Sequence, residues 1–152
     1  MFFEKYINND CIEESVQDGI NEAHSEIANM FQHMLKFIYQ SNRQDSSWYN
    51  TILDTHIYIS NITNTSVING IDLDRCYAKG RRDAKNATGL PDNIFPKRRP
   101  IEWDYNFITN KEAIIYFLEI NYNPNAIYNI PKEQIREEMN KKLRNAKNRK
   151  RK

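Results

Sequence analysis

Residues 10–40 read DCIEESVQDGINEAHSEIANMFQHMLKFIYQ, and this stretch decides the fold. Ile12, Val16, Ile20, Ala23, Ile27, Phe31, Leu35 and Ile38 recur at steps of three or four, which is the buried face of an amphipathic helix. Beside them Asp10, Glu14, Asp18, Glu22 and Glu26 follow one another at intervals of four, forming an acidic ridge. Like charges at that spacing destabilise a helix by roughly 0.2–0.5 kcal/mol per pair. The positive end of the helix dipole offsets this only in the first turn, so Asp18, Glu22 and Glu26 gain nothing from it. Such a ridge is either a solvated face, partnered by Lys or Arg from elsewhere in the fold, or a docking surface for a basic partner.

Upstream, Phe2, Phe3 and Tyr6 form an aromatic arm expected to fold back on the body, and Asn9 or Asp10 is placed to cap the helix. Gly19 costs about 1 kcal/mol against Ala inside a helix and allows a bend. Downstream, residues 41–45 break the pattern, and Asp45 or Ser46 caps a second helix with Trp48, Ile52, Thr55, Ile59 and Ile62 on one face. Residues 61–69 read as a polar turn. A third helix runs from about Asp72 to Thr88, and Gly89 stands where a left-handed stop belongs. Pro91, Pro96 and Pro100 make the next segment irregular, with Trp103, Tyr105 and Phe107 pinning it to the body. Asn110 caps a short apolar helix through residues 113–118. Pro131 opens a last helix with Ile135, Met139 and Leu143 inward and Glu137–Lys141 and Glu138–Lys142 as favourable pairs. The expectation is an all-α bundle of about five helices, one domain over 1–144, with a basic tail over 145–152 that frays.

Composition bounds the function. The chain has 152 residues and a formal charge of +2, enough length to bury a core without staples. The charge is segregated: residues 1–131 carry 12 Lys/Arg and 17 Asp/Glu, whereas 132–152 carry 10 and 3. An acidic body with a basic end points to a charged partner. Cys11 and Cys76 match no metal or redox spacing. The first residues are too short and too charged for a signal peptide, and no apolar run reaches the length a membrane span needs. A soluble, cytosolic protein is expected. Ile and Asn are each about three times as common as Leu, a bias towards AT-rich codons.

A family resemblance adds to this. His33-Met34-Leu35-Lys36, Tyr39-Gln40 and the run from Ser46 to Ile52 are followed by Tyr77-Ala78-Lys79-Gly80-Arg81-Arg82-Asp83-Ala84. Ala87-Thr88-Gly89-Leu90-Pro91 and Ile94-Phe95-Pro96 come next. In order and approximate spacing these blocks resemble the bacterial domain-of-unknown-function family 29, over roughly residues 22–108. The resemblance implies a helical fold and no known chemistry. The ridge begins largely upstream of it, and the residues after Asn110 have no counterpart in it.

No catalytic constellation stands out. His24 and His33 are nine residues apart, not the i,i+4 spacing of a helical metal pair, so no metal or cofactor is expected. His33 reads as a packed hydrogen-bonding residue. Arg81 and Arg82 with Asp83 suggest an internal ion pair, and Lys97-Arg98-Arg99 an exposed loop. The serines form no nucleophile elbow. The sequence therefore favours a non-catalytic binding protein: an immunity protein or antitoxin whose ridge (Asp10, Glu14, Asp18, Glu22, Glu26) meets a cognate basic toxin, nuclease in type. The alternative is a nucleic-acid-associated protein held through Lys147, Arg149, Lys150, Arg151 and Lys152, whose cations neutralise phosphates without reading sequence.

Overall fold

The computed structural model describes residues 2–126 and 129–151, with side chains for 14–126 and 129–147. Among these residues there are seven α-helices and no strand: α1 (Phe2–Tyr39), α2 (Ser46–Ser60), α3 (Thr65–Gly70), α4 (Leu73–Thr88), α5 (Tyr105–Ile108), α6 (Lys111–Ile120) and α7 (Gln134–Arg151). The all-α expectation holds. Two short 3-10 turns, Ser41–Arg43 and Asp92–Ile94, join α1 to α2 and follow α4.

The helix starts follow from local chemistry. Asp45 accepts from the Ser47 amide at 2.7 Å, and Asn110 accepts from Ala113 at 3.0 Å. Asp72 and Asp104 do the same for α4 and α5. Each such cap satisfies an orphan N–H and contributes about 1 kcal/mol. Gly89 ends α4 at φ 69, the left-handed stop expected of it. Three boundaries depart from the sequence reading. The first helix starts at Phe2, so 2–9 continue α1 and Asn9 and Asp10 are interior rather than caps. Asn costs a long helix only a few tenths of a kcal/mol, too little to stop one already propagating. The polar stretch read as a turn contains α3, because Asn64 accepts from both Ser66 and Val67 and starts one. Pro131 lies before α7 instead of opening it, its carbonyl accepting from Gln134 in a turn at 2.8 Å.

Helix α1 is the central post. Lys36 lies over the Trp48 ring at 4.7 Å near one end of α2, while Tyr58 near the other end feels Glu22 and Glu26, so α1 and α2 are antiparallel. Helix α4 runs parallel to α1: His24 Nε2 accepts from the Asp72 amide at 2.9 Å, and farther along Gly80 abuts Ala28 and Phe31. Gly19 gives Val67 of α3 room against α1. One core joins all of this, with Ile27, Phe31, Ile52, Ile114, Leu118, Ile135 and Met139 fully covered. Phe31 stacks on Trp103 at 5.6 Å, and Trp103 meets Phe117 edge-on at 5.9 Å; this is how the irregular segment is pinned. Helix α7 closes the far side of α2, where Lys142 reaches Asp54 at 2.8 Å. His56 is buried with Nδ1 on the Ile108 carbonyl, and burial holds its pKa below 6.5.

Candidate functional site

The ridge lies on the side of α1 turned away from the core. Glu14, Asp18 and Glu22 are exposed and Glu26 is half-buried. The Asp10 side chain is outside the described residues, although its backbone continues α1. The ion pairs of the fold use Asp54, Asp74, Asp83, Asp92 and Glu112. Among the described residues no Lys or Arg pairs with Glu14, Asp18, Glu22 or Glu26. The field of the ridge is felt by Tyr58 of α2: burial first, then the Glu22 carboxylate and its hydrogen bond, then Glu26, push the phenol up to about 12. The sequence alone left open whether basic side chains fold over these acids, since that depends on which helices become neighbours.

Arg81 of α4 and Arg99 of the loop that follows it are spent on the fold itself. Arg81 donates to the carbonyls of Pro96 (3.0 Å), Asp92 (2.8 Å) and Phe95 (3.2 Å) and to the Asp92 carboxylate (2.9 Å). The ion pair expected of these arginines with Asp83 is not found among the described residues: Arg81 pairs with Asp92 of the following loop, and Asp83 faces Lys79 at 3.8 Å. Hydrogen bonding from Arg81 lowers the Asp92 pKa below 3.8. Tyr77 also donates to the Pro96 carbonyl. Arg99 of the Lys97-Arg98-Arg99 run is bound to Asp74 at 2.9 Å and to the Trp103 carbonyl, leaving Lys97 and Arg98 as its exposed members. Arg81→Ala is expected to cost about 2 kcal/mol, through three backbone carbonyls that lose a charged donor. The exposed pair with Asp92 adds little to that. Amide exchange across 92–96 should accelerate with it; unchanged protection there would show that the loop is held by something else.

A second charged surface lies beside the ridge, where α1 packs on α4. Asn21, His24 and Ser25 of α1 and Arg75, Lys79 and Arg82 of α4 line a groove of about 450 Å³ above the buried Ala28 and Cys76. Burial, then the Asp72 charge, pushes the Cys76 thiol up to about 12. The three cations recur at i, i+4 and i+7, a signal present in the sequence but hidden there by the stronger Arg81-Arg82-Asp83 cluster. An apolar groove of about 360 Å³, including Leu35, Tyr39, Trp103, Tyr116 and Ile120, opens on a third side. His33 bonds its own helix, Nδ1 to the Asn29 carbonyl at 2.8 Å. No group of three or more His, Cys, Asp or Glu among the described residues could hold a metal ion. At the basic end, Lys147 is exposed on α7; the side chains of Arg149, Lys150 and Arg151, and all of Lys152, lie outside the described residues.

The fold and these faces define a single-domain, all-α protein with an acidic face and a basic-lined groove next to each other along one long helix. The family model described as domain of unknown function DUF29 matches residues 10–111, and the chain belongs to that family. The match starts at residue 10, so the whole ridge falls within it rather than upstream of it. Searches of curated proteins and of solved structures gave no match. Among the described residues no helix is long and apolar enough to cross a membrane.

Proposed function

We propose that this protein acts by binding rather than by catalysis, presenting the α1 ridge to a basic protein partner in the bacterial cytosol. Its concrete form is an immunity protein or antitoxin that occludes the active site of a cognate toxin, nuclease in type. The observation that carries this is the exposure of Glu14, Asp18 and Glu22 without a basic partner among the described residues. Carboxylates about 6 Å apart along a helix axis form a regular line of negative charge. A cleft that binds nucleic acid is basic for its own purposes, and such a line complements it and speeds encounter.

The test begins with capture by the tagged full-length chain, with and without nuclease, to identify a stoichiometric basic protein. Asp18→Lys with Glu22→Lys should then weaken that complex at least about tenfold and flatten its salt dependence. Unchanged affinity would remove the ridge from the interface. Material retained only without nuclease would favour association of nucleic acid with the basic end of α7, where Lys147 is exposed. Deleting residues 147–152 would then abolish retention.

A further inference from the structure

We propose that the groove between α1 and α4 binds a small phosphate-bearing anion, of diphosphate size, through Arg75, Lys79 and Arg82 on one lip and His24, Asn21 and Ser25 on the other. The lining is one-sided in charge. Three cations border it and no carboxylate does, although the first 131 residues hold 17 acids against 12 bases. Arg75 and Arg82 are exposed and, among the described residues, neither is in an ion pair. Lys79 has only a 3.8 Å contact to Asp83, with both side chains open to water. Arg81 and Arg99, by contrast, are occupied by carbonyls and acids of the fold.

The facing helix supplies donors. His24 Nε2 accepts from the Asp72 amide, so the neutral ring carries its proton on Nδ1 and has one N–H left to give. Asn21 and Ser25 add an amide and a hydroxyl. Two guanidinium forks with an ammonium suit phosphoryl oxygens, which accept paired N–H groups. Ligand size follows from the surroundings. Arg75 and Arg82 are separated by about 10 Å of helix rise, enough for two phosphoryl groups. On α1, Asp18 and Glu22 stand three residues before Asn21 and Ser25 and so neighbour them on the helix surface. A long polyanion leaving the groove would meet these ridge carboxylates; a short one would not.

Calorimetric titration of the full-length chain with inorganic pyrophosphate, at physiological salt, tests this, with a short single-stranded oligodeoxynucleotide as the second arm. Expected are saturable binding of pyrophosphate and the same affinity for Arg98→Gln, which alters an exposed cation outside the groove. Arg75→Gln with Arg82→Gln should weaken binding at least about tenfold, one charge-assisted contact being worth roughly that factor. Should the double variant lose helical circular dichroism, Arg82→Gln alone carries the comparison. Absence of binding at millimolar pyrophosphate, undiminished affinity in the groove variant, or an equal loss in Arg98→Gln would each overturn the proposal. So would an oligonucleotide that displaces pyrophosphate and loses its own affinity in the groove variant, since the ligand would then be a strand.

Discussion

Gln44→Leu is expected to lower the unfolding free energy by about 4 kcal/mol, more than any ordinary surface change in a protein of this size. Gln44 is fully buried and uses its whole amide. Nε2 donates to the carbonyls of Phe37 at 2.9 Å and Asn121 at 2.7 Å. Oε1 accepts from the Asn123 amide at 2.9 Å and from Asn129 Nδ2 at 2.8 Å. Leucine conserves the volume approximately and removes a hydrogen bond from all four partners, of which Asn129 Nδ2 keeps its bond to the Asn123 carbonyl. Each buried group left without a partner costs roughly 1–3 kcal/mol, and access of water to the loop recovers part of that. Urea unfolding followed by circular dichroism measures the effect. A loss below about 1 kcal/mol would mean that the 121–129 segment is held independently of Gln44.

The second large effect is at Gly80. A Cβ there would lie 2.6 Å from the Ala28 carbonyl oxygen and 3.1 Å from both the Gln32 nitrogen and the Phe31 Cβ. The obstacle is mostly backbone, so α1 and α4 must separate. Alanine gains about 1 kcal/mol in helix propensity, yet overpacking a close helix contact costs more than it returns. Gly80→Ala should be destabilised by about 2 kcal/mol net, which for this chain length lowers Tm by roughly 4–8 °C. The comparison is Gly19→Ala, where the nearest obstacle is a Val67 methyl at 3.0 Å that can rotate. If Gly80→Ala melts at or above the parent, the two helices have more freedom to separate than their contact implies.

The features legible in the sequence were those set by period or by one local hydrogen bond. The apolar stripe from Ile20 to Ile38 fixed the direction in which α1 buries itself. Asp45, Asn110 and Gly89 marked helix ends because their chemistry acts within a few residues. Gln44 was illegible for the converse reason. A glutamine after a turn reads as solvated, and three of its four partners lie 77 to 85 residues away. Asp92 as the partner of Arg81 was hidden by a Pro-containing loop, whereas the adjacent Asp83 suggested itself. The short α3 carries too few apolar positions for a period to show. For the candidate sites, the ridge was visible as a pattern, but the absence of an ion pair to it among the described residues was not. Arg75, Lys79 and Arg82 were visible as a spacing, but their position opposite Asn21 and Ser25 depends on the parallel register of α1 and α4.

Gln44 also separates two boundaries that are easily equated. The family match stops at residue 111, but the amide holding residues 121, 123 and 129 lies well inside it. Phe117, six positions past that border, rests on Phe37, Trp103 and Phe107, and Ile135 and Met139 belong to the same core. A chain ended at 111 would keep its inherited signature and lose the cover of its own interior. The matched region and the packed core therefore end at different places, and α7 belongs to the core.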